Sequence, residues 1–88
     1  EIAIDGATCL KDKRRVVNSL KDRLHREHQV SVAEVGNPEL FTTATLGVAM
    51  ASSDARYCRS VLDRIADKLK TGRGFVLNDH QIEVLSGQ

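Results

Sequence analysis

EIAIDGATCLKDKRRVVNSLKDRL, residues 1–24, changes its hydrophobic period part-way along, and that change decides the fold. From Glu1 to Asp5 the residues alternate, with Ile2 and Ile4 on one face and Glu1, Ala3 and Asp5 on the other, the pattern of a half-buried strand. Gly6, Ala7 and Thr8 then turn the chain. Beyond the turn Leu10, Val16, Val17, Leu20 and Leu24 share one stripe when each residue advances about 100°, which predicts an amphipathic helix fading near His28.

Outward from this β–α unit the same two periods recur. Val30 to Val35 reads as a second strand, stopped by Gly36, Asn37 and Pro38. Ala44, Leu46, Val48 and Met50 alternate with Thr45, Gly47, Ala49 and Ala51, a third strand with one bulky face. Ser52 and Ser53 are read as the cap of a second helix whose stripe is Cys58, Val61, Leu62, Ile65 and Leu69, and Gly72 and Gly74 end it. Phe75 to Leu85 returns as a strand bent near Asn78 and Asp79, with Ile82 and Val84 facing inward. The order βαββαβ predicts an α/β (α+β) fold, a ferredoxin-like two-layer sandwich: a four-stranded antiparallel sheet with both helices on one face.

Eighty-eight residues support one domain, 1–88, with a single modest core. Hydrophobic residues make up 41% and charged residues 28% of the chain, the balance of a soluble globular domain. No apolar run approaches the roughly 20 residues of a membrane span and no signal-peptide pattern opens the chain, so the reading places the protein in the cytoplasm with no membrane partner. The chain opens at Glu1 inside a strand and without a methionine, which leads one to expect native residues ahead of it. Cys9 and Cys58 lack the spacing of a disulfide framework or a CxxC site. His25 and His28 supply only two imidazoles, and a favourable charge at a helix C-terminus accounts for them better than a metal does.

Charge is distributed less evenly than the net of +1 suggests. Residues 11–28 hold seven cations (Lys11, Lys13, Arg14, Arg15, Lys21, Arg23, Arg26) against Asp12, Asp22 and Glu27, so the segment nets +4 and the rest of the chain −3. Four of these cations crowd Lys11 to Arg15, at the positive end of the helix dipole, where each exposed cation costs roughly 0.3–1 kcal/mol. The second helix follows the dipole instead, opening with Ser52, Ser53 and Asp54 and closing near Lys68 and Lys70. Cations placed against local stability point to a phosphate outside the chain. The alternative is a solvated charged face, in which Asp22 and Arg26 form an ordinary i,i+4 pair.

Three stretches together resemble the YlxP-like family, small bacterial proteins of undefined activity: Cys9-Leu10-Lys11-Asp12-Lys13-Arg14-Arg15, Val30 to Gly36, and Ala44 to Asp54 around Leu46-Gly47-Val48-Ala49. The first is similar to that family's SLK(E/D)KRR signature. The resemblance implies a ferredoxin-like fold and a role near the small ribosomal subunit or its RNA, and carries over no catalytic residue. Cys9 stands at the usual serine position, which leaves Thr8 to take over the cap.

The expected function is therefore a non-catalytic RNA- or ribosome-associated factor, with Lys11, Lys13, Arg14 and Arg15 on phosphates, aided by Lys21, Arg23 and Arg26, and with no cofactor. The open sheet face offers Ala3, Ala33, Gly47, Ala49 and Ala51 instead of the aromatics on which RNA-recognition motifs stack bases. Small residues there suit a second surface, so the alternative is a homodimer or docking module. Acylphosphatases share this topology but hold phosphate with an arginine in the first turn, whereas this turn is Gly6-Ala7-Thr8. No Walker loop, nucleophile elbow or HExxH motif is present.

Overall fold

The computed structural model describes residues 1–85. Its elements are β1 (Ile2–Ile4), α1 (Leu10–His28), β2 (Ser31–Val35), β3 (Thr43–Ala49), α2 (Ala55–Lys70) and β4 (Phe75–Leu77). The strands form one antiparallel sheet in the order β2-β3-β1-β4, so the βαββαβ sandwich expected from the periodicity is the observed α+β fold.

One face of the sheet meets the helices because every second strand residue is apolar. Ile2, Ile4, Ala44 and Phe75 are buried with Val17, Leu20 and Leu24 of α1 and Val61 and Ile65 of α2, and Val32, Leu46 and Val48 pack against that cluster. Leu24 is fully buried, and a side chain of this size contributes roughly 1.5–3 kcal/mol by leaving water. Gly72 closes the bottom of the core: a Cβ there would lie 2.0 Å from the Phe75 ring, so only glycine lets the chain leave α2 across that ring.

Helix starts differ from the sequence expectation in both cases. Asp54, rather than Ser52 or Ser53, caps α2, its Oδ1 accepting the N–H groups of Arg56 (2.9 Å) and Tyr57 (3.3 Å), while Ser52 Oγ accepts the Asp54 N–H. At α1 the capping residue is Cys9, whose side chain makes no capping bond. Thr8 does not replace it; its N–H and hydroxyl both donate at 3.0 Å to Asp12 Oδ2, so the first turn reaches back to hold the preceding loop. Those bonds, the backbone one foremost, hold the Asp12 carboxyl below its ordinary range.

The last strand is shorter than the alternation of 75–85 implies. Its ladder partner β1 supplies only Ile2, Ala3 and Ile4 opposite Leu77, Val76 and Phe75. Beyond Leu77 the Glu1 carbonyl accepts the Asn78 N–H at 2.9 Å. Ile82 and Val84 remain half-buried between exposed neighbours, but without a ladder. β3 likewise stops at Ala49, which leaves Ala51 outside the sheet and removes it from the predicted interaction face.

β1 and β2 pair with different stretches of β3. The Ile4 N–H donates to Thr42 O at 2.8 Å, so the backbone groups of even-numbered β3 residues point toward β1. The β1 register covers Thr43 and Ala44 only, whereas β2 pairs with β3 from Thr45 to Ala49.

Candidate functional site

The seven cations of residues 11–28 do not share a surface. Lys13 lies on the stripe of Val17, Leu20 and Leu24, at spacings of four, three and four, and is only 1% exposed. Its ammonium sits 2.6 Å from Glu34 Oε2 on β2 and donates to Pro38 O at 3.1 Å and to Leu40 O. The side chain does not snorkel to solvent. It crosses under the β2–β3 connection, and its charge is used internally, so Lys13 is not a phosphate contact and its place at the helix start needs no outside ligand.

The remaining six split by helical angle. Lys11, Arg15 and Arg23, with Ser19, are spaced four apart and form one row, and Arg26 continues it one turn on. Arg14 and Lys21, seven apart, share a second flank, since one residue back from Arg15 is about 100° round the helix. Asp22 and Arg26 are not within ion-pair distance; the i,i+4 pair on α1 is Arg23–Glu27, at 3.6 Å. Among the described residues Lys11, Arg14, Arg15, Lys21 and Arg26 pair with no carboxylate.

The row runs along a groove of about 220 Å³ lined by Arg15, Val16, Ser19, Leu20 and Arg23 of α1 and by Arg73 and Phe75. Arg73 was not among the sequence candidates, because a single cation beyond α2 has no cluster around it. Its signal was its setting: it stands between Gly72, closed onto the Phe75 ring, and Gly74, at φ +86°, so the turn that ends α2 carries it to α1. No carboxylate lines this groove. Arg23 and Arg73 also line an adjoining groove of about 360 Å³ with Glu27 and Lys68. Two further grooves, of about 420 and 600 Å³, lie between α2, β3 and residues 79–85, with many aliphatic residues in their walls (Leu46, Val48, Leu62, Val84).

A second polar cluster ties the far ends of the helices together. Lys68 Nζ of α2 donates to Glu27 Oε2 at 2.8 Å and approaches His28 Nε2 at 3.0 Å. An ammonium can only donate, so that imidazole nitrogen is an acceptor and the ring is neutral. Burial, and then the nearby Lys68 charge, hold the His28 pKa below its ordinary 6.5, while the Lys68 hydrogen bond holds the Glu27 carboxyl below its usual range. His25 faces elsewhere, with Nδ1 2.8 Å from the Val30 carbonyl, so the two histidines have separate structural partners.

Of the proposed interaction face, Ala33 and Gly47 are direct register partners and Ala49 lies opposite Ser31, all on the side away from the helices. Ala3 is on that side too, between Thr43 and Val76. Cys9 is exposed and Cys58 buried. No helix among the described residues is long and apolar enough to cross a membrane.

Residues 1–82 match a family described as a protein of unknown function (DUF503). No curated protein and no solved structure matches the chain.

Two outcomes are expected from these contacts. Lys13→Met leaves the Glu34 carboxylate and two carbonyls without their donor, and urea unfolding should show a loss of about 3–5 kcal/mol. In the Lys13→Met/Glu34→Gln double variant the loss should be smaller than the sum of the two single losses. Because His28 takes up a proton more readily unfolded than folded, its contribution is fully present above about pH 6.5 and is lost as pH falls below it. Melting temperature should therefore drop between about pH 7 and 5.5, and drop less in His28→Gln; an equal drop in both would place the sensitivity elsewhere.

Proposed function

The chain belongs to the DUF503 family, and we propose that it is a non-catalytic RNA-binding protein of the cytoplasm that contacts phosphates through the solvent face of α1. The observation that carries this reading is the set of exposed, unpaired cations left after Lys13 is set aside. Lys11, Arg14, Arg15 and Arg26 are exposed, Lys21 is half-buried, and none has a carboxylate partner among the described residues. Surface cations that make no ion pair are available to an external anion, and contacts to the phosphate backbone are indifferent to sequence. The resemblance to the YlxP-like proteins supports rRNA of the small ribosomal subunit as the partner. Support for a non-catalytic role comes from the groove beside α1: its hydroxyl, Ser19, has no imidazole or carboxylate lining the groove with it.

A second reading, self-association through the open sheet, is favoured by one feature. The small residues Ala33 and Gly47 lie beside Val35, 46% exposed, on the open face, whose far edge carries Val76, 53% exposed. Apolar side chains flanking a flat floor suit a homodimer that persists at high salt, whereas phosphate contacts do not.

Binding of purified protein to a structured fragment of small-subunit rRNA separates the two. With about four phosphate contacts, affinity should fall on the order of 10²-fold between 50 and 200 mM salt. A Lys11/Arg14/Arg15/Arg26→Ala variant should lose binding while keeping its melting temperature, since it spares Lys13. Salt-independent dimers with no RNA binding would favour the sheet instead.

A further inference from the structure

We infer that Arg15, Ser19, Arg23 and Arg73 form a receptor for a single phosphate group, a defined subsite within the basic face; the inference rests on the RNA-binding reading for its partner but not for its chemistry. Three guanidinium side chains from two separate elements line one groove of about 220 Å³ that no carboxylate enters. Like charges gathered this way repel unless an anion lies between them, and planar guanidinium forks match phosphate oxygens two at a time. Ser19 adds a hydroxyl donor from the same row of α1.

An orphaned donor points the same way. Arg23 Nε is shielded from water and has no hydrogen-bond partner. The nearest carboxylate oxygen, Glu27 Oε1, is 3.6 Å away, beyond hydrogen-bonding distance, and Glu27 is held by Lys68 through its other oxygen. The Arg23 side chain is 44% exposed, so its guanidinium has room to turn toward an acceptor brought from outside.

Arg73 is carried to the groove by the turn between Gly72, which has no room for a Cβ over Phe75, and Gly74 in the left-handed region. Phe75 is 6% exposed, so it forms the apolar floor of the groove without offering a ring face for base stacking. The recognised unit is thus a phosphate with its ester substituent, not a nucleobase. It is supplied either by an RNA backbone or by a small phosphate ester.

The test is NMR of the arginine Nε–H groups in the full chain, titrated with inorganic phosphate and, at matched ionic strength, with chloride. Saturable shifts of Arg15, Arg23 and Arg73 with phosphate alone are expected. Arg73→Ala should weaken phosphate binding about tenfold, with Arg64→Ala, outside the groove, as the unchanged control. Equal shifts with chloride would mean an adventitious ion only and would overturn the receptor. In parallel, the rRNA fragment is bound to wild type and Arg73→Ala. Weaker RNA binding by the variant, and competition by phosphate, would identify the RNA backbone as the source. Phosphate binding without RNA binding would uphold the receptor for a small ester and remove the RNA reading. RNA binding that ignores both Arg73→Ala and phosphate would overturn the receptor while leaving the basic face intact.

Discussion

The buried ammonium of Lys13 joins three parts of the molecule that are remote in sequence. It rises from the first turns of α1, meets Glu34 on β2 and holds the carbonyls of Pro38 and Leu40 in the connection to β3. Those partners explain how a charge tolerates 1% exposure: a carboxylate offsets it and two carbonyls take up its remaining protons. The pair contributes directionality that an apolar side chain would lack. Leucine at this position would pack against many orientations of the β2–β3 connection, whereas three fixed acceptors select one.

Removing Lys13 from the surface changes what the basic segment means. A positive charge at a helix N-terminus is unfavourable, and the crowding of four such charges at Lys11 to Arg15 looked like a single device aimed at a ligand. One of the four is structural, and Asp12, drawn back onto Thr8, shields part of the rest. The cations that remain divide between two flanks of α1, and only one flank gains a cation from elsewhere. Arg73 arrives there because α2 ends in a glycine turn beside β4, next to the row of Arg15, Ser19 and Arg23. The groove is therefore a product of topology: α1 and the α2–β4 turn flank the same edge of the core.

Much of the fold was legible because period-2 and period-3.6 patterns depend on residues near one another in the chain. Ile2 and Ile4, the Leu46/Val48 face, and the stripes of Val17–Leu24 and Val61–Ile65 were all recoverable from spacing and are the observed core. Ile82 and Val84 alternate as strand residues do, whereas the ladder of β4 covers Phe75–Leu77. Ala51 was assigned to the open face by parity, although β3 ends at Ala49. Among the adjacent polar residues at a helix start, the cap is the one whose side-chain oxygen reaches the first free N–H groups, as Asp54 Oδ1 does for Arg56 and Tyr57.

Lys13 shows the same limit most sharply, since its position on the stripe of Val17, Leu20 and Leu24 was in the sequence and its charge argued against burial. Composition and periodicity by themselves determined the layer plan, the core faces and the concentration of positive charge in α1, because each of these is a sum or a repeat over local residues. Tertiary structure alone decided which charges are free. That choice depends on whether a partner from another element stands within a few ångströms, as Glu34 does for Lys13 and Lys68 for Glu27.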